Sequence, residues 1–220
     1  MNVTQIYKKY KIPPNLQKHQ LRVAAVGELI ALNSTKAIDV NSIVLTCLLH
    51  DMGNIIKFSF EFNPKSFEPE GVEYWKNIQY EFIQRYGKDE HKATYKIAEE
   101  IGVSKIVLDL LDNVGFSISK KIYKSHDMNK YICSYADHRV SPNGVLSLTE
   151  RVKEGLERFI LNKPHLNTPE NVAKRKSNIE IIKLIEKEIF LNSRIKPEGI
   201  TDEKIEPLMS DLIMQNNFVL

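Results

Sequence analysis

Four ionisable side chains interrupt stretches of predicted helix that are otherwise apolar: His19, His50, Asp51 and Asp137. Burying an unpaired charge costs several kcal/mol, so such residues need a shared partner. A divalent cation satisfies all four, because two imidazoles and two carboxylates form a set of ligands that suits Mn, Fe, Co, Ni, Zn or Mg. Four ligands leave positions on an octahedral ion for water and substrate, which metal-assisted hydrolysis needs. We therefore predict these four residues to be metal ligands.

Helical periodicity explains how distant parts of the sequence can meet at one ion. His19 lies on the apolar face of a helix predicted over 13–32, which two prolines open. The apolar run 43–49 predicts a buried helix that leads directly into the His-Asp pair. Asp137 lies on the apolar face of a helix predicted over 128–140.

Further helices are predicted along the rest of the chain, with glycine, proline and capping residues at their ends. They cover 72–86, 89–101, 104–111, 147–159 and 168–192, and a short one follows Thr201. Gly53 is expected to loosen the backbone after the His-Asp pair, and 54–70 is predicted to form a loop. Because the sequence has no repeats, low-complexity tracts or convincing strands, the predicted fold class is all-α, a compact multi-helix bundle.

The composition is that of an ordinary soluble globular protein. The 220 residues are 42% hydrophobic and 27% charged, which excludes disorder, and their net charge is +3. That charge is too small and too scattered to indicate nucleic-acid binding. No apolar run approaches the roughly 18 residues of a membrane span, so no membrane association is expected. Cys47 and Cys133 lack metal-type spacing, which predicts buried free thiols and a cytoplasmic location.

The order of the four residues and their local contexts resemble the HD-domain superfamily of metal-dependent phosphohydrolases. The contexts are Lys18-His19-Gln20-Leu21-Arg22-Val23-Ala24, Leu48-Leu49-His50-Asp51-Met52-Gly53 and Tyr135-Ala136-Asp137-His138-Arg139-Val140. The resemblance covers about residues 10–160, which are expected to form an HD-type metal-binding helical domain. Residues 165–220 are predicted to be an amphipathic C-terminal helical extension that packs on this domain or mediates homodimerisation.

The resemblance implies a helical bundle that holds one or two divalent cations and hydrolyses a phosphate ester of a nucleotide or a similar small phosphorylated compound. By the resemblance, the metal ligands are His19, His50, Asp51 and Asp137. Asp51 is also the catalytic candidate, because it is the ligand that could bridge two ions.

The resemblance makes His91 a candidate for a second metal or for substrate, since relatives with two metals supply two further histidines. Where the second is expected, the sequence reads Leu111-Asp112-Asn113-Val114. Asn113 or His126 could substitute for it, but the departure favours one ion per chain. Asn54 stands three residues after Asp51, where relatives often have a lysine or a glutamate, so the general acid is unassigned.

Two arginines are candidate phosphate contacts, because a guanidinium group binds phosphate oxygens through parallel hydrogen bonds. Arg139 lies two residues after Asp137, and Arg22 lies one turn after His19. The alternative role for each is a structural salt bridge.

Two other functions stay open from the sequence. A catalytically inactive module could use the same site to sense a nucleotide or a metal. A di-iron oxygenase, which occurs among the relatives, needs two full iron sites, and Asn113 in place of a histidine argues against it.

Overall fold

Eleven α-helices and one two-stranded hairpin form within residues 2–61 and 67–214, which are the residues that the computed structural model describes. The helices are α1 (Val3–Lys9), α2 (Pro14–Leu32), α3 (Val40–Leu49), α4 (Val72–Tyr86), α5 (Glu90–Ile101), α6 (Lys105–Leu111), α7 (Ser119–Lys124), α8 (Met128–Asp137), α9 (Leu148–Asn162), α10 (Pro169–Leu191) and α11 (Asp202–Met214). The antiparallel strands are β1 (Val140–Ser141) and β2 (Gly144–Val145). The predicted all-α fold class is confirmed. No helix among the described residues is both long and apolar enough to cross a membrane.

Capping residues start several helices where the sequence predicted them. The Asp89 carboxylate accepts hydrogen bonds from two backbone N–H groups of α5, and Ser147 forms a reciprocal capping box with Glu150 at the start of α9. Gly102 ends α5 with a φ of 86°, a left-handed conformation that glycine adopts without strain. Because these signals are local, the bounds of the longer helices follow the sequence prediction closely.

Helices α2 and α3 form the centre of the bundle, and α8 packs on both. A Cβ atom on Gly27 would lie 3.1 Å from Cys47 Sγ, so α2 and α3 approach closely at this point. Cys47 and Cys133 are buried free thiols in this core, as predicted. The three helices carry or directly precede the four predicted ligands, so core packing fixes the positions of those residues.

The C-terminal helices pack on the bundle. Ile182, Ile185 and Ile189 of α10 are buried, and α10 contacts α7 and α8. The Tyr135 hydroxyl donates a 2.5 Å hydrogen bond to the Glu186 carboxylate across the α8–α10 contact. Helix α11 packs on α2 and α1. These helices therefore share the core with the preceding part of the chain, while homodimerisation stays a prediction.

Gly53 allows close packing of α5 against the backbone after the His-Asp pair. The expectation that Gly53 loosens the backbone is wrong. Its φ of −89° is ordinary right-handed helical geometry. A Cβ atom there would lie 2.3 Å from the Glu90 carbonyl oxygen and 2.8 Å from Ala93 Cβ, so glycine lets α5 approach. The Gly53 N–H also donates a 2.9 Å hydrogen bond to Thr94 Oγ1. The chain continues as a 3-10 turn over Asn54–Lys57, and residues 62–66 of the predicted loop lie outside the described residues.

Candidate metal centre

The structure brings the four predicted ligands together as one group, here called the four-residue cluster: His19, His50, Asp51 and Asp137. The ligand atoms of His19, His50 and Asp51 lie within 4.8 Å of one another. Asp137 Oδ1 lies 3.2 Å from His19 Nε2 and 3.5 Å from His50 Nε2. Asp51 Oδ2 lies 3.7 Å and 3.6 Å from the same two nitrogens. Both carboxylates therefore face both imidazoles.

The fold fixes the orientation of the His50 ring. His50 follows the last residue of α3, where helix carbonyl groups lack backbone partners, and its Nδ1 bonds the Cys47 carbonyl oxygen at 2.8 Å. The Nδ1 atom must carry the proton of that bond, so the Nε2 atom of a neutral ring presents a lone pair. His50 Nε2 is buried and, among the described residues, has no hydrogen-bond partner. Buried polar atoms rarely lack partners, and a metal ion is a partner that fits an imidazole lone pair.

Electrostatics also favour a cation at this position. Burial lowers the pKa of His50, but Asp51 and Asp137 outweigh burial and raise that pKa to about 10. Burial raises the pKa of Asp137, and the nearby imidazoles of His19 and His50 outweigh burial and hold that pKa well below its usual range. Two carboxylates that bind a proton this tightly between them attract a divalent cation by the same field.

A hydrogen bond from the backbone of Asp51 helps to fix the position of this residue. The Asp51 N–H donates a 3.3 Å hydrogen bond to Gln20 Oε1, and Gln20 is fully buried one residue after His19. This contact ties the α2 and α3 contributions together. The arrangement therefore fits a divalent ion, with nitrogen ligands on one side and carboxylate oxygens on the other.

His91 lies beside the four-residue cluster without joining it. It shares a cavity of about 190 Å³ with His50, Thr94 and Tyr95. Its side chain is 69% exposed, and its Nε2 lies 3.8 Å from a carboxylate oxygen of Glu90. The cavity leaves His91 as a candidate for a second ion or for substrate.

Asn113, at the position where relatives supply a histidine, bonds to its own helix. Its Nδ2 donates a 2.7 Å hydrogen bond to the Asp109 carbonyl oxygen, and the residue is buried. The other substitute considered from the sequence, His126, is exposed, and its ring centre lies 6.2 Å from that of Tyr123.

The structure does not bring Arg139 to the four-residue cluster. Its guanidinium donates to the carbonyl oxygens of Leu146, Pro197 and Ile200 and to the Tyr135 hydroxyl. These bonds occupy the donors that a phosphate would need. Arg139 thus joins α8 to the turn before α11, which is a structural role.

Arg22 also has protein partners. Its Nε lies 3.8 Å from Asp202 Oδ1 and its Nη1 donates to the Pro142 carbonyl oxygen at 3.3 Å. This is the salt-bridge alternative that the sequence left open for Arg22.

A second cavity next to the four-residue cluster contains basic residues that the sequence analysis did not select. Its volume is about 450 Å³, and Asp137 forms part of its wall. The basic side chains that line it are Arg151, Arg158, Arg175 and Lys176. The available signal was the spacing of basic and apolar residues on one face of each of α9 and α10, but that pattern is also typical of a solvated helix.

In a comparison with protein families, residues 16–130 match the family described as HD domain. No curated protein and no solved structure matches the chain. The matched region includes His19, His50 and Asp51, whereas Asp137 follows its last residue. The position of Asp137 in the four-residue cluster therefore rests on the distances given above.

Proposed function

The chain belongs to the HD-domain family, and from this membership and the geometry of its site we propose that it is a metal-dependent phosphohydrolase. The proposed reaction is hydrolysis of a phosphate ester of a small phosphorylated compound, with nucleotides as the class that the resemblance implies. The observation that carries the proposal is the meeting of two imidazoles and two carboxylates around the unpartnered His50 Nε2.

The proposed ligands are His19 and His50 through nitrogen and Asp51 and Asp137 through oxygen. A bound Mn, Fe, Co, Ni, Zn or Mg ion would polarise a phosphoryl oxygen and lower the pKa of water. The Cys47 carbonyl group orients the His50 ring, and Gln20 orients the backbone of Asp51. Asp51 is the proposed catalytic ligand, because its carboxylate faces both imidazoles and the resemblance makes it the ligand that could bridge to a second ion.

We propose one ion per chain. Asn113 bonds back to Asp109, and the side chain of His91 is largely exposed, so neither forms a second closed set of ligands with the four-residue cluster. His91 then serves substrate or a weak second ion.

The test combines elemental analysis of the purified protein with phosphate release from a panel of phosphate esters, with each of the six metals added in turn. One ion per chain and turnover that His50→Ala removes are the expected results. His165→Ala is the matched control, because His165 is exposed and lines none of the cavities described above.

Other outcomes distinguish the alternatives. Bound metal with no turnover of any phosphate ester would favour the sensing module. Two irons per chain would favour the oxygenase. Absence of bound metal under every condition would contradict the proposed site.

A further inference from the structure

The cavity between α9 and α10 extends to the four-residue cluster. Asp137 and His138 form one part of its wall, and side chains of the two helices form the rest. Its volume of about 450 Å³ falls in the range of small-molecule sites. A ligand in this cavity would therefore contact the residues beside the proposed metal.

The walls of this cavity are mostly apolar. Helix α9 contributes Val152, Leu156 and Phe159, and α10 contributes Val172 and Ile179. Leu156 is 39% exposed, so part of this apolar surface faces solvent. A ligand with an apolar group would cover it and gain about 25 cal/mol for each Å² removed from water.

Four basic side chains line the same cavity together with the Asp137 carboxylate: Arg151, Arg158, Arg175 and Lys176. The Glu154 carboxylate pairs with two of them, at 2.9 Å from Arg151 and 3.3 Å from Arg158, so four cations face two carboxylates. This excess of positive charge fits an anionic group.

Two of the arginines are held in place before any ligand binds. Arg151 Nε donates to the Val140 carbonyl oxygen at 2.7 Å, and its Nη1 lies 2.9 Å from Glu154 Oε2. The Arg175 guanidinium lies 4.5 Å from the centre of the Phe159 ring. Such fixed groups lose little side-chain entropy when a ligand binds.

The uncharged polar groups of the wall are few, and each already makes one hydrogen bond within the protein. Asn167 accepts a hydrogen bond from Arg175, and His138 Nδ1 bonds the Ser134 carbonyl oxygen. A sugar with several hydroxyl groups needs hydrogen-bond partners for each when it leaves water. The wall therefore suits an apolar group better than a polyhydroxylated one.

We infer that this cavity binds the organic part of the substrate, and that the substrate is a phosphate ester of a largely apolar group, aromatic or aliphatic. The inference rests on the proposed function, because it assigns the substrate class of that same site. The basic side chains face the phosphate and the apolar walls cover the organic group. Nucleotides and sugar phosphates bind more weakly.

Binding can be measured without turnover. The probes are 1-naphthylphosphonate and methylphosphonate, which have no ester bond to hydrolyse, titrated calorimetrically into the metal-loaded protein. We expect the naphthyl compound to bind at least about tenfold more tightly, which corresponds to about 1.4 kcal/mol. Equal affinities would overturn the inference.

Gly155 supplies the variant that fills the cavity. It lies in the interior of α9 and lines the cavity, and a Cβ added there would lie 2.8 Å from Arg151 Nη1. A leucine would therefore fill the cavity and shift the end of Arg151, so Gly155→Leu is expected to weaken 1-naphthylphosphonate about tenfold or more and methylphosphonate by a smaller factor. Lys153→Leu is the matched control, since Lys153 is exposed on the same helix and does not line the cavity. Leu156→Asn, which removes the apolar contact at similar volume without adding a charge, gives a second test if Gly155→Leu does not fold, with the same expected loss of 1-naphthylphosphonate affinity.

Turnover separates failure of this inference from failure of the proposed function. If 1-naphthyl phosphate is cleaved with a higher kcat/KM than ribose 5-phosphate and AMP, both stand. If AMP or ribose 5-phosphate is preferred, the hydrolase proposal stands and the inferred substrate class is wrong. If no ester is cleaved but the naphthyl probe binds and Gly155→Leu blocks it, the cavity assignment holds and the hydrolase proposal fails.

Discussion

Replacement of Gly53 by alanine tests the contact that closes the backbone behind the His-Asp pair. The added Cβ would lie 2.3 Å from the Glu90 carbonyl oxygen, 2.8 Å from Ala93 Cβ and 2.9 Å from the Thr94 nitrogen. Two of these atoms belong to the backbone of α5 and cannot move as a flexible side chain could. Backbone strain is not the cause, because the φ of −89° suits alanine.

The expected loss of stability follows from two contributions. Overpacking of a well-packed region costs about 1–3 kcal/mol. If α5 moves away to relieve the contact, the 2.9 Å hydrogen bond from Gly53 to Thr94 is lost, at about 1 kcal/mol. We therefore expect Gly53→Ala to lower the free energy of unfolding by about 2–4 kcal/mol and the Tm by roughly 5–15 °C.

Thermal unfolding monitored by circular dichroism measures this change, and Gly155→Ala is the matched control. Gly155 lies inside α9, and its added Cβ would lie 2.8 Å from Arg151 Nη1, a side-chain atom that can shift without movement of the backbone. Alanine there should raise stability by up to about 1 kcal/mol through its higher helix propensity. A Gly53→Ala protein as stable as the parent would refute the argument that α5 requires glycine at this position.

Three further changes test the proposed site and one unpaired charge. Asp137→Ala should abolish metal-dependent phosphate release. The variant should still fold, because the Asp137 side chain is 26% exposed at the end of α8. Retained phosphate release with native circular dichroism would remove Asp137 from the site. Removal of the ion by a chelator should lower the Tm by roughly 5–10 °C, because an ion at about 100 times its Kd stabilises the fold by about 2.7 kcal/mol. Calorimetric scans with and without the chelator measure this shift. Equal Tm values would mean that the protein holds no ion. Burial, and then Asp211, raise the pKa of Glu28, whose Oε2 is buried without a hydrogen-bond partner among the described residues. An acid with a raised folded-state pKa stabilises the fold less as pH rises through that pKa, so Glu28→Gln should add up to about 1 kcal/mol at pH 8 and little at pH 4; equal Tm differences at the two pH values would count against this.

The longer helices, among them α2 with His19, could be predicted because their signals are local. Two prolines open α2, Asp89 and Ser147 cap α5 and α9, and Gly102 ends α5. The ligand types could also be recognised, since a histidine or an aspartate on an apolar helix face needs a polar partner wherever the chain folds.

Two of the short helices, α1 and α7, could not be predicted in the same way. Helix α1 has seven residues and α7 has six, too few to be stable alone. Contacts from distant parts of the chain hold them instead. The Tyr7 hydroxyl donates a 2.7 Å hydrogen bond to the Leu48 carbonyl oxygen, and Ile122 of α7 is fully buried.

Spacing along the sequence does not determine which basic residues lie near the four-residue cluster. Arg139 follows Asp137 by two residues, yet the hairpin that begins at Val140 leaves its guanidinium bonded to Pro197 and Ile200, far along the chain. Arg158 and Arg175 are distant from every predicted ligand in sequence, yet they line the cavity that Asp137 borders.

Metal ligands are easier to predict than phosphate contacts. A histidine or an aspartate on an apolar helix face can be recognised from its residue type and position, whereas a phosphate contact depends on where the end of a long side chain lies in the folded protein. The position of α10 beside the cavity depends on the burial of Ile182, Ile185 and Ile189 against the bundle, which is a non-local property. It follows that weakening this packing, for example by Ile185→Ala, should impair binding of the naphthyl probe more than binding of the metal, because α10 carries walls of the cavity and none of the four ligands.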